Sequence, residues 1–168
     1  VLLTVTPSVA EVVRIEVRSR ADLVAGKAFG ATGAYEKLMG RIYFEVDPSN
    51  PVNAIITDID KAPRNARGRV EFSSDCCVIA PADATKGNGT LLFEVSNRGR
   101  KGMLGMFNRA SGSLDPKTEA EFGDGFLLSR GFTLAWLGWQ FDVPREADLV
   151  RLHAPVATQG GRPIRGIM

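Results

Sequence analysis

Strict alternation near the front of the chain most constrains the fold. In Val12–Arg18 (VVRIEVR) the apolar Val13, Ile15 and Val17 fall on one face and Arg14, Glu16 and Arg18 on the other. That period of two predicts a half-buried β-strand. A turn-rich stretch with Gly26, Gly30 and Gly33 follows, and Tyr35–Val46 (YEKLMGRIYFEV) reads as a second strand. Asp47-Pro48 through Pro51 is a turn by composition. Ala54–Ile59 (AIITDI) is expected as a third strand and Val70–Ala80 (VEFSSDCCVIA) as a fourth. Residues 12–80 thus read as an antiparallel β region with short connections.

The pattern changes after Pro81. Thr90–Val95 (TLLFEV) is nearly continuously apolar, as in a strand covered on both faces. Asn97–Gly102 (NRGRKG) is a loop and Met103–Asn108 a short helix. Pro116–Arg130 carries Phe122, Phe126, Leu127 and Leu128 at roughly helical spacing, with Gly131 placed as a C-terminal cap. Phe132–Trp139 (FTLAWLGW) is a further apolar strand. Strand, helix and parallel strand over 90–139 make a βαβ unit. The expectation is therefore one α/β domain over 1–168, an antiparallel meander leading into a βαβ unit.

Composition excludes several classes. The 168 residues are 44% hydrophobic and 24% charged, ordinary for a globular chain and unlike a disordered or fibrous one. No apolar run approaches the ~18 residues of a spanning helix, so no membrane partner is expected. With 21 Lys+Arg against 19 Asp+Glu, the net charge of +2 is too small to point to nucleic acid. Ser8 and Ala10 are small residues spaced as at an export cleavage site, without the basic segment and longer apolar core of a signal peptide. Soluble locations in the cytoplasm and outside it both stay open. The chain opens without Met, and GGRPIRGIM closes on an apolar run, which reads as a fragment.

Little in the chain is chemically pointed. No Ser sits in a G-x-S-x-G frame, and there is neither a GxGxxG fingerprint nor a phosphate loop ending in G-K-[ST]. Adjacent Cys76 and Cys77 lack the spacing of a zinc site and read as structural thiols. Asp58 and Asp60 form a D-x-D that reads as a solvated strand edge rather than a metal site, since no His or third carboxylate supports it. No metal or cofactor is expected. The most suggestive segment is Asn97-Arg98-Gly99-Arg100-Lys101-Gly102, a glycine-containing loop beyond an apolar strand, where backbone N–H groups can turn toward an anion or oxyanion. From spacing alone, a solvated basic turn remains the commoner reading. Glu94, inside TLLFEV, needs a partner; Arg98 or Arg130 is near enough in the chain, and a structural ion pair of Glu94 with Arg98 is expected.

Three stretches together carry a resemblance: AFGATGAYEKLMGRIYFEVDPSNPVNAIITDIDKAPRNARGRVEFSSDCCVIAPAD, GNGTLLFEVSNRGRK and DGFLLSRGFTLAWLGWQFDV. From about Val12 to Ile167 the chain resembles the N-terminal region of a bacterial family of α/β-hydrolase-domain proteins, covering only the front of that family's length. The resemblance implies hydrolysis of a small-molecule carboxylic ester by a serine nucleophile. TLLFEV would be an early strand, Asn97, Arg98 and Gly99 an oxyanion-side loop, and Glu119–Arg130 the first crossover helix. Trp139 and Gln140, at the end of the next strand, become pocket candidates. The nucleophile, acid and base would lie beyond Met168, and His153 has no motif placing it among them. The alternative is a non-catalytic β-rich binding or interaction module. Under the hydrolase reading the strand leading to the nucleophile is missing beside FTLAWLGW, which is then expected to present an unpaired edge, leading to self-association or a complementary chain.

Overall fold

The computed structural model describes residues 10–145 and 149–166. Ser8, half of the export reading, and Ile167 and Met168, at the end of the resemblance, lie outside them. Strands take 35% of the described residues and helices 23%, short 3-10 turns included. The long strands are β1 (Glu11–Asp22), β2 (Tyr35–Val46) and β3 (Val70–Pro81). Then come β4 (Leu91–Val95), the short helices α1 (Met103–Asn108), α2 (Glu119–Phe122) and α3 (Phe126–Ser129), and β5 (Thr133–Leu137). The two-residue strands β6 (Leu152–His153), β7 (Thr158–Gln159) and β8 (Arg162–Pro163) close the chain.

One mixed six-stranded sheet runs in the order β1-β2-β3-β5-β4, with β6 pairing β3. β5 is antiparallel to β3, with Cys77 opposite Trp136, and parallel to β4, with Leu92 opposite Leu134 and Glu94 opposite Trp136. This β-rich sheet with three short helices is not an α/β-hydrolase-like arrangement, and that expectation is corrected. The cause is local. Glycines at positive φ, Gly123 (+61°) and Gly125 (+67°), break the segment expected as a crossover helix into α2 and α3. A Cβ on Gly123 would lie 1.9 Å from the Asn108 carbonyl oxygen, so only glycine fits there. Asn108 secures the break: its amide group donates to Phe122 O and its Oδ1 accepts from Leu127 N.

Two other expectations fail. AIITDI is not a strand but two 3-10 turns, Pro51–Ile55 and Ile59–Lys61, the first capped by the Asn50 side chain accepting from Val52 N. Asp58 takes left-handed backbone and pairs with Lys61 at 2.7 Å, so Asp58 and Asp60 share no strand face. TLLFEV is not covered on both faces: Leu91, Phe93 and Val95 are 58%, 49% and 65% exposed. β5 is not an unpaired edge either, because β3 and β4 flank it; the outer strands are β1 and β4. The apolar face of β1 also stays open, with Val13, Ile15 and Val17 exposed.

The described chain divides into two compact units. One gathers residues up to Ile15, Ile42–Ser73 and those from His153 onward; the other gathers Glu16–Arg41 and Ser74–Leu152. The first has a small core of Val46, Ile59 and Val70, with Phe72 packed on it and stacked on Phe44 at 4.9 Å. The second holds the larger core, where Tyr35, Cys77, Ile79, Phe122, Leu128, Leu134 and Trp136 are essentially sealed from solvent. The Tyr35 hydroxyl shares its one proton between Leu128 O at 2.8 Å and Phe132 O at 3.0 Å, tying β2 to the end of α3. Among the described residues no helix is long and apolar enough to cross a membrane.

Candidate functional site at the ends of the parallel strands

In sheets with parallel strands, ligands bind beyond the carboxyl ends of those strands. Here β4 and β5 run in parallel, and the segments leaving them, 96–102 and 138–142, meet within the larger unit. The meeting is made of hydrogen bonds. Arg98 N donates to Gln140 Oε1 at 2.7 Å. The Arg98 guanidinium donates to Asp142 Oδ2 at 2.5 Å and to the Asp142 carbonyl at 2.8 Å. That guanidinium holds the exposed Asp142 carboxyl below the usual carboxylate range. The Trp139 indole N–H donates to Ser96 O at 2.5 Å, and Val150 N donates to Gly99 O at 3.1 Å.

Left-handed backbone at two consecutive residues, Arg98 (φ 54°) and Gly99 (φ 74°), sets the loop's shape. Gly99 is buried, and a Cβ there would lie 2.4 Å from Val150 O. Arg98 adopts the same region with a side chain, a conformation that costs about 1–2 kcal/mol and persists only where surroundings enforce it. The Asp142 ion pair and the Gln140 hydrogen bond are that enforcement. Asn97 is exposed beside them. Ser96 is fully buried, and its Oγ has no hydrogen-bond partner among the described residues.

Glu94 sits on the inner face of the same strand, and its partners are not those expected. Its carboxylate accepts from Gly102 N at 3.0 Å, Met103 N at 2.8 Å and the Trp136 indole N–H at 2.5 Å. The expected ion pair of Glu94 with Arg98 is absent, because Arg98 turns away to Asp142. The reason is geometric. The loop folds back so that the first N–H groups of α1 meet the carboxylate, and main-chain donors satisfy it as well as a cation does.

The structure thus brings Asn97, Arg98, Gly99, Trp139 and Gln140 into one place, and adds Asp142, which sequence reasoning missed. Nothing in the spacing of residues 44 apart marks Arg98 and Asp142 as partners. Trp139 and Gln140 act as clamps on the loop; Trp139 remains 53% exposed. Cys76 and Cys77 are both buried, and burial pushes both thiols up, Cys77 to about 11. Among the described residues no group of three or more His, Cys, Asp or Glu could hold a metal ion. Comparison of the chain with protein-family models, with curated proteins and with solved structures gave no match.

Proposed function

We propose that this chain is a scaffold segment of a hydrolase of small carboxylic esters, contributing an oxyanion-side loop while serine, base and acid come from outside it. The reading does not depend on an α/β-hydrolase sheet. One observation supports it: the Arg98 N–H, presented by left-handed backbone beyond the end of β4, points at an amide oxygen 2.7 Å away. Donors at 2.7–3.1 Å are what an acyl-transfer intermediate requires of its oxyanion site. Gln140 occupies that donor with a neutral carbonyl, which a substrate oxygen would replace.

The test is turnover of a p-nitrophenyl ester by the complete protein. Gln140→Glu places a carboxylate on the donor and opposes the developing oxyanion, so kcat should fall about 10²–10³-fold. Gln140→Ala should stay near or above the wild-type rate. Equal rates in all three would overturn the oxyanion role. Labelling of any serine in this chain by a fluorophosphonate would overturn the placement of the nucleophile.

A second reading, a non-catalytic interaction module, rests on β4. It is an outermost strand whose Leu91, Phe93 and Val95 face solvent, the form of edge that accepts an added strand. Under this reading the complete protein shows no esterase turnover, and Phe93→Lys rather than Gln140→Glu impairs its function.

A further inference from the structure

Beyond the clamp, Arg100, Lys101 and Gly102 join Gly112, Ser113 and Leu114 around a cavity of about 390 Å³. That volume is at the small end of ligand pockets. Two cations line it, and among the described residues no carboxylate does. Lys101 is only 5% exposed, its ammonium donating to the Leu114 carbonyl. Arg100 is exposed, and among the described residues its guanidinium has no hydrogen-bond or ion-pair partner.

The carboxylates nearby are already engaged. Glu94 is held by the N–H groups of Gly102 and Met103 and by Trp136. Asp115 lies between Lys37, at 2.6 Å, and Lys117, at 3.0 Å. Glu121 accepts from Thr118 and from Lys117 N. None of them neutralises Arg100. A planar guanidinium with five free donors matches the paired oxygens of a carboxylate or phosphate.

We infer that this cavity is a binding site for a small organic anion. Arg100 takes the anionic head, and Leu114 with the glycine backbones borders the remainder. The inference does not rest on the hydrolase reading, since it concerns binding by this chain alone.

The experiment is an amide NMR titration of the 168-residue chain with inorganic phosphate and, separately, with sodium benzoate, against sodium chloride at matched ionic strength. Saturable shifts at Gly102, Gly112 and Ser113 are expected for at least one anion, with a Kd of about 1 mM or tighter. The tighter of the two identifies the preferred head group. Arg100→Gln and Arg100→Glu touch no structural partner, so both should keep the wild-type spectrum elsewhere while weakening binding about tenfold or more. Shifts reproduced by chloride, failure of both anions to saturate, or binding within about twofold of wild type in Arg100→Glu would each overturn the site.

Discussion

Gly99→Ala probes the loop most directly, and its cost can be worked from the structure. Gly99 has φ +74°, a region that costs a residue with a Cβ about 1–2 kcal/mol. The new Cβ would also lie 2.4 Å from Val150 O and 3.1 Å from both Val150 N and Val143 Cγ1. The closest atom is main chain and cannot rotate aside. Relief must displace Val150, straining its 3.1 Å hydrogen bond to Gly99 O, a contact worth about 0.5–1.5 kcal/mol. The sum is about 1.5–3.5 kcal/mol of lost stability. Gly112→Ala is the internal control, because a Cβ there meets nothing within 4 Å. It should change stability by less than about 0.5 kcal/mol. Urea unfolding followed by tryptophan fluorescence reads both, since Trp139 is bonded to the loop. A Gly99→Ala protein as stable as Gly112→Ala would refute the reasoning. A corollary follows for the chemistry: turnover lost on altering Gly99 would report a displaced loop, which is why Gln140 is the better probe of the Arg98 donor.

Three further outcomes are expected. Glu94→Gln replaces a carboxylate that three donors share with an amide whose NH₂ must face one of them, costing about 1.5–3 kcal/mol; an unchanged thermal midpoint would contradict this. Cys77, pushed up to about 11 by burial, and Cys76, also raised, should react with a thiol reagent at pH 8 far more slowly in the native protein than in urea; fast native labelling would show that β3 opens. The Ser113 hydroxyl, the N–H groups of Lys117 and Thr118 and the Thr118 hydroxyl hold the Glu121 carboxyl at about 2 against an ordinary 4.5. A depressed carboxylate stabilises above its unfolded value, so this contribution is complete above pH 4.5 and is lost as pH falls through about 2. Glu121 is only partly buried, so the effect is small and salt-sensitive. Thermal midpoints of wild type and Glu121→Gln should converge over that window; a constant gap would refute the assignment.

Strands were legible where side chains alternate or cluster, because pleat geometry acts through nearest neighbours. Tyr35–Val46, the VEFSSDCCVIA run and the apolar strands β4 and β5 all followed from such patterns. Burial was not equally legible. Alternation marks Val13, Ile15 and Val17 as one face of a strand, but what lies against that face is a tertiary matter, and all three are exposed. The failed helix had a readable signal in Gly123-Asp124-Gly125, two glycines in one turn, which helical spacing of the flanking apolar residues outweighed. AIITDI failed for a similar reason, its β-branched content outweighing the Asn50-Pro51 start that nucleates a 3-10 turn. For the site, the glycine-containing loop could be seen in the sequence. The partners of Glu94 could not, because two of the three are main-chain N–H groups that every residue but proline carries.

The two acceptors at the ends of β4 and β5 differ in how readily they can be exchanged, and that difference decides where chemistry could occur. Glu94 is charged and meets three donors, each charge-assisted contact worth about 1.5–3 kcal/mol. Removing it would leave the Gly102 and Met103 N–H groups and the Trp136 indole without their acceptor at once. Gln140 offers Arg98 N a single neutral hydrogen bond, worth about 0.5–1.5 kcal/mol. Opening that contact costs roughly a tenfold population shift or less, since 1.4 kcal/mol is one factor of ten. A ligand oxygen taking the Arg98 N–H recovers the bond it displaces, so the net penalty is smaller still. The Glu94 cradle is therefore a fixed part of the fold that locks α1 onto β4. The Arg98 donor, whose residue keeps the Asp142 contacts as a second anchor, is the exchangeable one. If this loop acts on a substrate, Arg98 N is where the oxygen binds and Gln140 is the side chain that moves.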